Sequence, residues 1–395
     1  MRFISQLKKL KKGKNILLRA DLNVSRERRT GRILSDYRIR ETLPTIEYCL
    51  KKKARVLLCS HFGRPGGTKD PRFSLRFLQK RIQKLTGVTV SFVGDCVGPK
   101  VRWALEKKIA PGGILLLENL RFYKQEKKND PDFSKELADL ADYYVNDAFG
   151  VCHRSHASVE GITKFKRPYT GFLIQKEIKT LSKIKNQPKA PFILMIGGAK
   201  ITDKIEIIES LGKKADHILI GGALANTFLK AKGMNLGASL FEPMELNLAL
   251  EITRKFCEKI ILPNDGQVAR ELRDGYSKES RVTDLRDIKK KEAVLDIGPK
   301  TIVRFSGMVE KAKTVFFAGP MGYFEKPPFH KGSVGVIRAM AFSEAFCVAG
   351  GGETVTILEK SGYFDKMDHV STGGGASLAF VSGKTLPGLK ALGYK

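Results

Sequence analysis

The sequence contains no Cys-x-x-Cys pair: Cys49, Cys59, Cys96, Cys152, Cys257 and Cys347 are scattered singly over 395 residues. Such spacing supports neither a zinc site nor a disulfide framework, and buried free thiols of a reducing compartment are expected instead. No apolar run approaches the roughly 20 residues that a bilayer span requires. The stretch Ile16 to Ala20 is short, lies among basic residues and lacks a cleavage-type end, so no signal peptide is expected and the chain reads as soluble and cytoplasmic. Low-complexity tracts and short internal repeats are missing too, which sets repeat architectures aside. Acidic residues are the scarcer charge, with 41 Asp and Glu against 71 Lys and Arg and a formal net charge of +30.

That excess is uneven, +20 over residues 1–175 and +10 over residues 176–395. It suits a nucleic acid, an anionic substrate, or simply a solvated cationic surface. Lys8, Lys9, Lys11, Lys12 and Lys51 to Lys53 occupy ordinary helix or loop positions without interleaved aromatics, so nucleic acid is not expected as a partner.

What the chain does have is enough apolar material, 42% of its residues, for two cores. Short β-branched or leucine-rich runs alternate with glycine-containing turns and amphipathic stretches, the pattern of parallel α/β sheets. In the first half these runs are Ile16 to Arg19, Arg55 to Cys59, Gly113 to Leu117 and Tyr143 to Val145. In the second they are Phe192 to Ile196, His217 to Ile220, Lys259 to Leu262, Thr314 to Phe317 and Phe346 to Ala349. Between the halves, Leu173, Ile174, Ile178, Leu181 and Ile184 are spaced like one face of a helix that ends before Pro188. The expected architecture is α/β with two Rossmann-like lobes, each a mainly parallel sheet flanked by helices. The expected division is 1–170, a connecting helix over 171–187, a second domain over 188–375, and a C-terminal segment 376–395 packing back towards the first.

Open α/β sheets bind ligands beyond the carboxyl ends of their strands, so the residues just after each run matter most. In the first half these include Asp21 with Asn23, Arg38, His61 with Arg64, Arg121, and His153 with Arg154. Guanidinium groups match phosphate and carboxylate oxygens, and Asp21 and Asn23 suit a hydroxyl. Taken singly each has a plain structural explanation, such as Arg121 pairing with Glu118. In the second half Gly197-Gly198-Ala199-Lys200-Ile-Thr-Asp203-Lys204 gathers bare amides, a helix start and two lysines, a place that favours phosphate. It matches neither the Gly-x-x-x-x-Gly-Lys-Ser/Thr loop nor a dinucleotide fingerprint. Five further glycine-rich turns follow, at Gly221-Gly222, Asp296 to Thr301, Gly319 to Glu325, Gly350 to Thr354 and Ser371 to Ser377. Close packing is the expectation for Gly221 and Gly222, and anion contact for the triple glycine before Ala376.

The wording of these segments is specific. Arg19-Ala-Asp21-Leu-Asn23, Ser60-His61-Phe-Gly63-Arg64-Pro65, Leu117-Glu118-Asn119-Leu-Arg121 and Asn146-Asp147-Ala148-Phe149-Gly150 with His153-Arg154-Ser-His156-Ala157-Ser158 resemble, in order, the signatures of phosphoglycerate kinases. The glycine-rich segments of the second half match the same family, so the resemblance covers nearly the whole chain. It implies reversible phosphoryl transfer between 1,3-bisphosphoglycerate with ADP and 3-phosphoglycerate with ATP. It also implies that Asp21, Asn23, Arg38, His61, Arg64, Arg121 and Arg154 bind 3-phosphoglycerate. Arg38, Lys200 and the amides of Gly373 and Gly374 would stabilise the phosphoryl group in transit. Lys204, Glu325, Gly351, Gly352, Glu353 and Thr354 would bind nucleotide, with Mg²⁺ at Glu353. The implied partners are these small molecules, with no membrane, and a monomer is expected.

Three positions depart from the usual family wording: Ala318 in place of asparagine, Glu353 in place of aspartate, and Asn264 in place of valine. Ala318 gives up a side-chain hydrogen bond near the nucleotide, worth roughly 0.5 to 1.5 kcal/mol, so weaker nucleotide affinity is expected. Two rival readings remain: a catalytically weak relative that binds nucleic acid through its positive surface, and a kinase of the same type acting on another carboxylate.

Overall fold

The computed structural model describes residues 1–7, 10–27, 29–272 and 275–394; Lys8 and Lys9 lie outside them. The chain forms two compact units, one of Met1–Lys179 with the segment from Thr385 onward, the other of Thr180–Lys384.

In the first unit six strands, β1 (Asn15–Arg19), β2 (Arg55–Cys59), β3 (Val90–Phe92), β4 (Ile114–Leu116), β5 (Tyr143–Asn146) and β6 (Pro168–Thr170), pair in the order β3-β4-β2-β1-β5-β6. Every pairing is parallel. Parallel strands are covered on both faces, which is why these runs are apolar without alternation. Their side chains nonetheless split by parity. Ile16, Leu18, Val56, Leu58, Ile114 and Leu116 join Ile39, Ile46 and Ile82 in one core. Leu17, Leu57 and Leu115 join Val101, Leu105, Phe133 and Leu137 in the other. The chain leaves β1 towards β2 on one side, while β5 and β6 lie on the other. The sheet therefore changes direction between β1 and β5, and the crevice beyond their ends is the expected ligand position.

The second unit repeats the plan. Strands β7 (Phe192–Ile196), β8 (His217–Ile220), β9 (Ile260–Ile261), β13 (Thr314–Ala318), β14 (Phe346–Ala349) and β15 (His369–Val370) pair in parallel in the order β15-β14-β13-β7-β8-β9. Here the direction changes between β7 and β13. A separate antiparallel sheet, β11-β10-β12, is built from β10 (Asp265–Leu272), β11 (Gly275–Asp284) and β12 (Glu292–Ile297). The sequence does not announce it, because β11 is an edge strand carrying Glu279, Arg281 and an exposed Val282 and so lacks an apolar run.

The helix Phe172–Asn186 buries Leu173, Ile174, Leu181 and Ile184, and the division between the units falls within it. The chain re-enters the first unit at Thr385, not at residue 376. The helix Gly375–Val381 stays in the second unit, where the Ser210 hydroxyl donates to the Val381 carbonyl at 3.3 Å. The helix Pro387–Ala391 then joins the first unit through the Gly388 amide, which donates to the Cys152 carbonyl at 2.8 Å. All six cysteines are free and only Cys257 is exposed. No helix among the described residues is long and apolar enough to cross a membrane.

Candidate active site

Beyond β1, Asp21 is almost fully buried and accepts a hydrogen bond from Arg38, whose helix Tyr37–Lys51 begins one residue earlier. The ion pair leaves Arg38 partly exposed, with 27% of its side chain accessible. Two residues on, the Asn23 amide oxygen accepts from the Gly63 amide at 3.0 Å, joining the loop after β1 to the loop after β2. Gly63 in turn offers its carbonyl to Arg121 Nη1 at 2.7 Å. Arg121 is positioned by Asn119, which accepts from the Arg121 amide at 3.0 Å and donates to the carbonyls of Phe62 and Phe73 at 2.7 and 2.9 Å. Glu118 does not serve Arg121: its carboxylate accepts from Ser74 Oγ at 2.7 Å and from the amides of Leu75 and Asn119 at 2.8 Å each.

His61 is buried with Nδ1 3.2 Å from Arg19 Nη2 and 3.9 Å from Asp21 Oδ1. Burial first, then the charges of Arg19, Arg121 and Arg38, hold it well below the usual histidine range, so the ring is neutral near pH 7. Burial likewise brings Arg121 down to about 10, with Arg19 and Arg154 adding to it and Asp21 opposing. His153, half-buried, is brought down to about 4 by burial and then by Arg154 and His156. These mutual effects place Arg19, Arg38, Arg121, Arg154, His61 and His153 in one electrostatic neighbourhood around Asp21. Arg154 is exposed at its rim, and Arg64 is exposed in the loop that follows β2. Cations this close raise one another's free energy, and an anionic ligand relieves that repulsion.

The second unit assembles its site differently. At the end of β7 the Gly198 amide donates to the Pro320 carbonyl at 2.9 Å, and Gly197 packs against Gly319, the residue after β13. A Cβ at Gly197 would overlap the Pro320 carbonyl, and Gly319 at φ +108° has a backbone that only glycine adopts readily. Gly221 is also a packing residue, since a Cβ there would meet Met321. Between these turns opens a cavity of about 420 Å³, walled by Ala199, Ala223, Leu240, Tyr276, Val294 and Phe324 with Glu325 and Glu353 at its polar positions. Its volume and largely apolar wall fit a heterocyclic ligand of nucleotide size.

Lys200 is exposed, whereas Lys204 is half-buried at the residue preceding the helix Ile205–Leu211. Burial lowers the Lys204 pKa against the raising effect of Glu353 and Asp203. Glu353 sits in the first turn of the helix Gly352–Ser361. No group of three His, Cys, Asp or Glu suited to a metal ion occurs among the described residues. A single carboxylate at Glu353 fits a magnesium ion held mainly by nucleotide phosphates and water, not an all-protein cage.

Two expected ligand contacts are otherwise engaged. The Gly373 amide donates to Ser371 Oγ at 3.0 Å, because a serine two residues back closes a local turn, so Gly374 is the barer of the pair. Thr354 is fully buried and its hydroxyl accepts from the Gly319 amide at 2.7 Å, which makes it a brace for the turn after β13. Ala318 is fully buried at the end of β13, opposite Ile196, and is not part of the cavity wall.

Sequence reasoning missed Leu240 and Tyr276 of the cavity wall: Tyr276 stands alone among polar residues, and Leu240 beside Phe241 reads as ordinary packing. It also passed over Arg19 and Glu126, both fully buried, which read like any strand-end arginine and helix glutamate.

Residues 6–384 match the family described as phosphoglycerate kinase. A phosphoglycerate kinase of Solibacter usitatus is 46% identical over 385 residues, covering 96% of this chain and 97% of that protein. One from Moorella thermoacetica is also 46% identical over 385 residues, covering 97% of each. Among solved structures, phosphoglycerate kinase from Pyrococcus horikoshii OT3 superposes with a TM-score of 0.88 at 32% identity, over all of this chain and 98% of that one. That from Coxiella burnetii gives 0.83 at 35% identity, over 99% and 98%.

Proposed function

The chain belongs to the phosphoglycerate kinase family, and from that premise we propose that its first unit binds 3-phosphoglycerate and its second the metal-bound nucleotide. The observation that carries the reading is the cationic neighbourhood around Asp21 at the β1/β5 direction change, matched by a nucleotide-sized cavity at β7/β13. Arg38, Arg64, Arg121 and Arg154 bind the phosphate and carboxylate of the triose through guanidinium forks. Asp21 and Asn23 take its hydroxyl, and His61 adds a neutral donor. Glu325 and the cavity wall hold the nucleoside, and Lys204 meets its phosphates.

Transfer runs from the γ-phosphate of ATP to the carboxylate oxygen of 3-phosphoglycerate, with ADP leaving in line, and in reverse from the acyl phosphate. The acceptor is already ionised, so no general base is needed. Catalysis then consists of aligning two anions and spreading positive charge over the equatorial oxygens. Arg38, Lys200 and the Gly374 amide do this; Glu353 would hold Mg²⁺, which would supply neutralising charge at the nucleotide phosphates. Acceptor and donor are assigned to different units, so transfer requires the two bound ligands to be aligned with water excluded from the acyl phosphate.

The test is a coupled assay of ADP formation with Mg-ATP, comparing 3-phosphoglycerate, acetate and aspartate as acceptors. Turnover with 3-phosphoglycerate alone is expected; equal turnover with acetate would contradict the role given to the arginines.

A further inference from the structure

We propose that Glu126 and Ser158, which make none of the substrate contacts assigned above, are positioning residues that act through Arg19 to fix His61 with its proton on Nε2. The inference rests on the assignment of 3-phosphoglycerate to the first site.

Glu126 is fully buried, and its carboxylate accepts from the Ser158 hydroxyl at 2.6 Å and from the Ser158 amide at 2.9 Å. Burial pushes the Glu126 pKa up, but His156, with Nδ1 3.6 Å from Oε1, and the Arg19 charge outweigh it and hold the carboxyl below its usual range. An ionised carboxylate only accepts, so the Ser158 hydroxyl must donate to it and has only lone pairs left to offer. Arg19 Nε takes that place, donating to Ser158 Oγ at 3.0 Å. The same guanidinium donates through Nη1 to the Ala20 carbonyl and lies through Nη2 3.2 Å from His61 Nδ1.

Arginine has five donors and no acceptor. His61 Nδ1 must therefore be the acceptor, and the single proton of the neutral ring goes to Nε2. Each link is directional: a buried negative charge orients a hydroxyl, the hydroxyl orients a guanidinium, and the guanidinium chooses the tautomer. Arg19 is fully buried, so bulk solvent does not compete for these donors. Ser158 is also held independently of its hydroxyl, since the Tyr144 hydroxyl donates to its carbonyl at 2.7 Å. Removing the hydroxyl thus breaks the relay while leaving the backbone anchored.

The experiment uses the full chain and reads the His61 ring by ¹⁵N–¹H long-range correlation, together with KM and kcat. The parent is expected to show His61 as one species protonated at Nε2. In Ser158→Ala the ring should become a mixture of tautomers and the KM for 3-phosphoglycerate should rise about tenfold, the scale of one hydrogen bond to a charged group. The KM for ATP should not move. Ser158→Thr, which keeps the hydroxyl, should restore both readouts, and Glu126→Gln, which turns one acceptor into a donor, should behave like Ser158→Ala. A parent ring protonated at Nδ1 would overturn the inference without any variant having to fold. So would an unchanged tautomer and an unchanged KM in a folded Ser158→Ala protein. His61→Ala separates the two claims: if it leaves the KM for 3-phosphoglycerate in place, the substrate assignment fails; if it raises that KM while Ser158→Ala does not, the relay fails.

Discussion

The two units use the same sheet plan and put their sites at the same topological position, yet they handle anions by different means. The first works with long cationic side chains that a buried polar lattice holds in place: Asn119 for Arg121, Asp21 for Arg38, Arg19 for His61. The second works with backbone, through glycines packed so closely that Gly197 and Gly319 leave no room for a Cβ, around an apolar cavity. A side-chain site is specific to its ligand's charge pattern and is lost one residue at a time. A backbone site depends on chain path and tolerates changes in side-chain identity nearby. It fits that all three departures from the usual family wording, Asn264, Ala318 and Glu353, fall in the second unit, with Glu353 on the cavity wall, while the side-chain complement of the first site is intact.

The largest effects are expected where charge meets the transferring group. Lys200→Ala and Arg38→Ala should each lower kcat by about 10²- to 10³-fold, the scale of losing one electrostatic stabiliser; Lys200→Ala should change either KM little, whereas Arg38→Ala should also raise the KM for 3-phosphoglycerate. Loss of activity through KM alone would move both residues from transfer to binding. Arg121→Ala should act on one substrate only. The KM for 3-phosphoglycerate should rise roughly 10- to 100-fold, as a charged contact of about 1.5 to 3 kcal/mol is removed, while the KM for ATP stays put. A parallel rise in the ATP value would blur the division between the sites.

Gly197→Ala is the counterpart in the backbone site. Its methyl must displace the Pro320 carbonyl, and overpacking of this kind costs about 1 to 3 kcal/mol. We expect a lower melting temperature and about tenfold weaker ATP binding by calorimetry. Binding of 3-phosphoglycerate measured the same way should be unchanged.

In each unit burial also raises the pKa of one carboxyl near the site, which allows a pH comparison. Burial pushes Asp147, at the end of β5, up to about 7, and Asp296, at the end of β12, up to about 8. A group whose pKa is raised by folding keeps its proton longer in the folded chain, so its contribution to stability is complete below the unfolded value and is lost as pH rises through the folded one. The parent should therefore lose more stability than Asp147→Asn between pH 4 and about 7, and more than Asp296→Asn up to about 8. Denaturant titrations across that range would show it, and parallel curves for parent and variants would contradict it. The smallest effect is expected for Ala318→Asn. If the asparagine side chain reaches beyond the buried end of β13, ADP should bind roughly two- to tenfold more tightly, the range of one hydrogen bond. An unchanged dissociation constant would mean that the alanine costs nothing.

Much of this was legible in the sequence because the diagnostic residues sit just beyond apolar strands, where fold and function use the same signal. Asp21 follows β1, His61 follows β2, and Gly197 follows β7. The engagement of Gly373 by Ser371 and of Thr354 by Gly319 was hidden, since a motif gives residue types but not which donor is already taken. Arg19 was hidden for a related reason. Nothing local distinguishes a strand-end arginine facing solvent from one buried against Ser158 and His61, because its partners come from 139 and 42 residues away. The antiparallel sheet escaped because its edge strand is charged and carries no apolar period.

The most direct measurement of the central claim is isothermal calorimetry of 3-phosphoglycerate and of Mg-ADP with the parent, Arg121→Ala and Gly197→Ala. The two-site account predicts that Arg121→Ala weakens only 3-phosphoglycerate and Gly197→Ala only Mg-ADP. If either variant lost both ligands while remaining folded, the assignment of one ligand to each unit would be contradicted.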